Sequence, residues 1–137
     1  MKVFFDTSAI VKRYVNEPGS NEVEEICRRA DVLMLSIICL PEILSTLRRL
    51  VREGKLTVEA YRKTKHVILG DLADAEIANL TPEVIRRAID CLENFPLRAM
   101  DALHLGCALA MNPDLFVSSD GEQIAAARER GLKVKEV

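Results

Sequence analysis

The chain has 137 residues, 49% of them hydrophobic, with no Trp and a formal net charge of -2 from 19 basic and 21 acidic side chains. That length predicts one domain spanning residues 1–137 with an aliphatic core, and the near-neutral balance excludes a uniformly basic nucleic-acid coat. The four cysteines, at 27, 39, 91 and 107, contain no C-x-x-C pair, so buried free thiols in a reducing compartment are expected and no zinc site.

The elements follow in chain order. Val3, Phe4 and Phe5 predict a buried strand with Asp6 at its tip, and Thr7 or Ser8 is positioned to cap the helix that follows. After Pro18-Gly19-Ser20 a helix is expected over about 22–29, with Val23, Ile26 and Cys27 on one face. Val32 to Ser36 predicts a second strand. Leu40, Ile43, Leu44, Leu47 and Val51 recur at helical spacing, with Pro41 in the first turn and Gly54 at the end. A further helix is expected over 58–69, and a weaker strand over 75–80. Thr81 and Pro82 predict an N-cap and first helical position for a helix running to about Asn94. Pro96 separates it from another, Arg98 to Met111, whose Ala99, Ala102, Gly106, Ala108 and Ala110 permit close packing. Leu115 to Val117 predicts a strand, 122–130 a helix with Gly131 as its cap, and 132–134 a last strand. Short strands alternating with helices imply a mostly parallel sheet. The N-terminus does not read as a signal peptide and no apolar run is long enough for a bilayer, so a cytoplasmic protein without a membrane partner is expected.

Four acids then stand out. In parallel-stranded open sheets, ligands bind beyond the carboxyl ends of the strands. Asp6 and Asp120 each follow a predicted strand, and both are flanked by hydroxyls, in D-T-S and S-S-D. Glu42 and Asp101 lie early in helices near the same edge. Taken singly, Asp6 and Asp120 read as turn residues, and Glu42 and Asp101 as acids favourable to a helix start. Taken together, they form a cluster whose mutual repulsion hard cations such as Mg²⁺ or Mn²⁺ would relieve. Hydrolysis of a phosphodiester is the chemistry such a cluster suits. The spacing D-x-x-H puts His104 on the helix face of Asp101, where a supporting hydrogen bond is expected. His66 is expected at the surface. Lys12 and Arg13 lie close to Asp6 in sequence and are candidate substrate contacts. Arg48, Arg49, Arg52, Lys55, Arg62, Lys63 and Lys65 form a positive segment that is either a solvated helical pair or a rim for phosphates.

The blocks F-F-D-T-S-A-I-V-K, P-E-I-L-S-T-L-R-R, L-R-A-M-D-A-L-H-L-G-C-A-L and F-V-S-S-D, with G-L-K-V at the end, resemble PIN domains, and among them the VapC-like toxin ribonucleases. The resemblance covers nearly the whole chain. It implies a three-layer α/β/α sandwich with a mostly parallel five-stranded sheet. It also implies Mg²⁺- or Mn²⁺-dependent endoribonuclease activity, as the toxin of a type II toxin–antitoxin pair. The implied catalytic and metal-holding acids are Asp6, Glu42, Asp101 and Asp120, with Ser8 and Ser118 as supporting hydroxyls. A homodimer through early and middle helices is implied, and a small antitoxin as partner; the apolar stripes there offer Ile43, Leu47 and Tyr61 as contributors, which a monomer core could equally use. After the last acid the family often has a basic or polar residue; Gly121, Glu122 and Gln123 stand here instead, which makes this rim less basic. The alternative is a catalytically inactive PIN-like RNA-binding or protein-interaction module. A haloacid-dehalogenase-type phosphatase wants an aspartate where Ser8 stands. The features of a response-regulator receiver are not evident, and a dinucleotide fold lacks its G-x-G-x-x-G loop.

Overall fold

The computed structural model describes residues 1–137. Five strands form one sheet: β1 (Lys2–Phe5), β2 (Val32–Ser36), β3 (Glu76–Ala78), β4 (Leu115–Ser118) and β5 (Val134–Glu136). Their order is β3-β2-β1-β4-β5, and every neighbouring pair is parallel. The helices are α1 (Thr7–Ile10), continued by a 3₁₀ turn over Val11–Arg13, then α2 (Ser20–Arg29), α3 (Cys39–Arg52), α4 (Val58–Asp71), α5 (Pro82–Asn94), α6 (Ala99–Met111) and α7 (Gly121–Glu129).

Alternation along the strands divides the core into two layers. Phe4, Met34 and Phe116 face one side of the sheet and pack with Val84, Cys91, Leu105, Ala108 and Ala127 from α5, α6 and α7. The Phe4 and Phe116 rings stack with centroids 5.8 Å apart. Val3, Phe5, Leu35 and Val117 face the other side, against Ala9, Ile10, Val23, Ile43, Leu47 and Ile68 from α1 to α4. Each fully buried large side chain removes enough apolar surface to contribute about 1.5–3 kcal/mol. The three-layer α/β/α sandwich is therefore the architecture, and its sheet is parallel throughout.

Most boundaries lie within two residues of those expected. Three differ for local reasons. The cap of α1 is Asp6 itself, which accepts from the Ala9 amide at 3.0 Å; Thr7 and Ser8 do not cap it, because their hydroxyls are used elsewhere. β3 keeps only three residues of the extended stretch. β5 starts at Val134 and not at Leu132: Gly131, at φ +90°, turns the chain off α7, and Leu132 drops into the core before pairing begins.

Two readings of α3 and α4 need correction or completion. Ile43 and Leu47 are 0% and 1% exposed, so the monomer's own core consumes them and they cannot form a dimer contact. Tyr61 is half-buried beneath the Arg48 guanidinium, 5.0 Å from its ring centre. All four cysteines are free, with Cys39, Cys91 and Cys107 buried and Cys27 half-buried. No helix is long and apolar enough to cross a membrane.

Candidate active site

The site is built where β1 and β4 lie side by side. Asp6 leaves the end of β1 and is 2% exposed. Its Oδ1 accepts from the Ser8 hydroxyl at 2.7 Å and the Ala9 amide at 3.0 Å. Its Oδ2 accepts from the Ser118 hydroxyl at 2.6 Å. Ser118 Oγ in turn accepts the Asp120 amide at 3.0 Å. Ser119 adds two links: its amide donates to Ser8 Oγ at 3.1 Å, and its hydroxyl to the Ser8 carbonyl at 3.1 Å. A web of three serines thus ties the two strand tips together around one buried carboxylate. Burial pushes the Asp6 carboxyl up, and the hydrogen bonds from Ser118 and Ser8 only partly offset it.

Glu42, in the first turn of α3, is held from both sides. Thr7 donates its hydroxyl to Glu42 Oε1 at 2.7 Å, and His104 Nε2 makes a short contact to the same oxygen. Burial opposes the charge on Glu42, but the hydrogen bonds from His104 and Thr7 outweigh it and hold the carboxyl below its usual range. His104 is 2% exposed, also lies 3.2 Å from Thr7 Oγ1, and leaves Nδ1 without a partner. Its hydrogen-bond partners are thus Glu42 and Thr7 and not Asp101, whose helix face it shares.

Asp120 caps α7, accepting from the Glu122 and Gln123 amides at 3.0 and 3.2 Å. Asp101 sits in the first turn of α6. Its carboxyl is raised, by burial first and then by the negative charge of Asp120. Glu42, Asp101 and Asp120 line a single cleft of about 680 Å³, together with Arg98 and Glu122. Asp6 does not line this cleft. It reaches it through Ser118, one hydrogen bond from the Asp120 backbone.

The donors suit a hard divalent ion in kind: all are carboxylate oxygens. Burial raises Asp6, and burial followed by the charges of Asp120 and Glu42 raises Asp101. In placement they are spread out. No three Asp, Glu, His or Cys side chains converge as a ready-made ligand set. Cys39 lies close enough to feel both Asp6 and Glu42, but its thiol is pushed up to about 12, chiefly by burial, so it is no nucleophile.

Lys12 and Arg13 are engaged away from the cleft. Lys12 Nζ donates to the carbonyls of Pro18 at 3.0 Å and Val137 at 2.8 Å. Arg13 pairs with Glu24 at 3.0 Å and Asp71 at 3.8 Å. His66 is exposed. Four residues carried no individual role at the site in the sequence. Thr7 and Ser119 belong to the hydroxyl clusters beside the acids, which was their signal. Gln123 is fully buried and donates Nε2 to the Asp101 carbonyl at 3.2 Å, joining α7 to the start of α6. Arg98 carried only the appearance of a helix boundary.

The PIN domain family model matches residues 3–129. The chain belongs to the PIN domain family. Among curated proteins, this PIN domain is 28% identical to Ribonuclease VapC46 of Mycobacterium tuberculosis over 134 residues, covering 96% of this chain and 95% of that one. Its fold matches the sarcin-ricin loop cleaving toxin VapC20 of M. tuberculosis with a TM-score of 0.69 at 17% identity, covering 90% of this chain and 94% of the other. It matches a toxin–antitoxin complex from Klebsiella pneumoniae with a TM-score of 0.70 at 14% identity, covering 98% and 99%. The sheet order and the two helical layers are those of VapC-type PIN domains.

Proposed function

We infer that this PIN domain is a Mg²⁺- or Mn²⁺-dependent endoribonuclease, the toxin of a type II toxin–antitoxin pair. The observation that carries this reading is the cleft onto which Glu42, Asp101 and Asp120 open from three separate elements, with Asp6 buried behind it at the meeting of β1 and β4. The ribonuclease relative supports the substrate class, and the toxin–antitoxin structure supports the partner.

Asp6, Glu42, Asp101 and Asp120 would hold the ion. When bound, it would supply a water acidic enough to attack at neutral pH and positive charge for the departing oxygen. The chain's own residues do the positioning. Ser8 and Ser118 fix both oxygens of Asp6. His104 and Thr7 keep Glu42 ionised and oriented. Gln123 holds the backbone of Asp101 against α7. Lys12 and Arg13 would have to leave their present partners to reach RNA. A homodimer would use exposed apolar surface such as Ile85, Ile89 and Leu92 on α5, which are 38%, 47% and 41% exposed.

The second reading, an inactive RNA-binding or protein-interaction module, is favoured by one observation: no three donors already converge. Cleavage of single-stranded RNA in Mg²⁺, in Mn²⁺ and in EDTA, alongside calorimetric titration of Mn²⁺, separates the two. The nuclease reading expects metal-dependent cleavage and a saturable Mn²⁺ site weakened in Asp6→Asn. Absence of both establishes the inactive module.

A further inference from the structure

Four carboxylates, those of Glu42, Asp101, Asp120 and Glu122, line the cleft, and a single cation stands among them, Arg98. Arg98 is exposed and makes no ion pair, although its charge is near enough to act on Asp101. Its position is poor for the helix. It is the N-cap of α6, with extended backbone at φ −78° and ψ 160°, and its side chain makes no capping hydrogen bond. Ser, Thr, Asp and Asn are the residues that stabilise this position, and a cation here opposes the positive end of the helix dipole. Residues that break local rules are expected at functional sites, and Arg98 breaks two of them while lining one. The other rim cannot supply a positive group, because Glu122 and the buried Gln123 follow Asp120.

We propose that Arg98 is the phosphate-binding residue of this cleft, gripping the RNA backbone beside the scissile bond. This rests on the nuclease reading above. The carboxylates that would hold an ion leave Arg98 as the protein's own positive group in the cleft for an incoming polyanion. The guanidinium fork matches two phosphate oxygens at once, which an ammonium does not. Because Arg98 has no ion pair to break, its charge is free for an incoming phosphate. Its place at the start of α6, three residues before Asp101, sets it at the same mouth as that acid.

The test is fluorescence anisotropy with a short labelled single-stranded RNA in Mg²⁺, on an Asp6→Asn background that silences cleavage, comparing Arg98 with R98A, R98K and R98S. Removing the guanidinium should weaken binding about tenfold. It should also reduce the slope of log affinity against log salt by about 0.7, the signature of one lost phosphate contact on a single strand. R98K should recover part of the affinity. R98S, which installs a good N-cap, should hold or raise the melting temperature while losing affinity like R98A. In the cleavage-competent protein, R98S should raise KM for RNA more than it lowers kcat. Unchanged affinity and salt slope in R98A, while the wild type cleaves, would overturn the role of Arg98 and leave the nuclease reading standing. Loss of melting temperature together with affinity in R98S would show that Arg98 only secures the helix start, and would also overturn it. A wild type that neither binds nor cuts RNA would remove the nuclease reading and this role with it.

Discussion

Asp6 is buried and held by two serine hydroxyls and a backbone amide. Asp6→Asn keeps the shape, and the amide can still accept from Ala9 while Ser118 turns to accept from it. RNA cleavage should fall by orders of magnitude, since a neutral amide binds a hard cation poorly. Stability of the metal-free protein should move the other way, and pH reveals why. Burial raises the Asp6 carboxyl above the usual 3.8, so the folded state binds more protons than the unfolded one from that value upward. Stability is therefore lost as pH rises through the raised value. Asp101 acts in the same direction. Glu42 is lowered from 4.5, so its contribution is present above that pH and lost as pH falls through the lowered value. In EDTA, Asp6→Asn should melt above wild type at pH 7, with the gap closing below pH ~4. Melting curves across pH check this; an equal gap at every pH would contradict it. His104→Ala would leave Glu42 without its buried partner and open a cavity behind it. It should cost about 2–4 kcal/mol in urea unfolding at pH 7.

Among the elements, one close approach and one helix cap fix α5 and α6. α5 and α6 touch at Gly106, where an added Cβ would lie 2.7 Å from the Val84 carbonyl oxygen and 3.1 Å from the Ala88 amide nitrogen. Both are backbone atoms, so a helix would have to move. Gly106→Ala gains about 1 kcal/mol of helix propensity but should still destabilise, by about 1–2 kcal/mol net, because overpacking against backbone costs more. The expected readout is a lowered urea midpoint with an unchanged slope. Of the small residues expected to allow this approach, Ala102, Gly106 and Ala108 are buried, whereas Ala99 is exposed at the cleft and Ala110 is half-buried. At the start of α5, Thr81 accepts from the Val84 amide at 3.2 Å. Thr81→Ala should cost about 1 kcal/mol with no effect on RNA cleavage.

For the whole molecule, surface left uncovered indicates where a second chain would sit. With Ile43 and Leu47 inside, the apolar surface still open on a helix includes Ile85, Ile89 and Leu92 along α5. Their i, i+4, i+7 spacing forms one stripe. If the homodimer forms there, sedimentation at micromolar concentration should show a dimer, and Ile89→Lys should give a folded monomer. A wild-type monomer, or a dimer untouched by Ile89→Lys, would place any assembly surface elsewhere.

The order of strands and helices, the Thr81 and Gly131 caps and the two strand-tip acids were all legible without a structure, because each depends on neighbours a few residues away. Periodicity records which face is apolar, and a hydroxyl or glycine records a turn. What lay beyond local signals was decided by long-range contact. Asp6 meets Ser118 across 112 residues only because the sheet sets β4 beside β1. The same stacking buries Asp6 and sends Lys12 and Arg13 to other partners. It also closes Ile43 and Leu47 into the core. Arg98 stands in the block L-R-A-M-D-A-L-H-L-G-C-A-L, but nothing local marks its charge as part of a site. It became the cleft's lone cation only once α6, α3 and α7 brought Asp101, Glu42 and Asp120 to one mouth. Sequence alone determined which segments form elements and which acids stand at their ends. Tertiary packing decided which charges are buried, which are already paired and which remain free for a phosphate, because burial and ion pairing arise between elements and not within them.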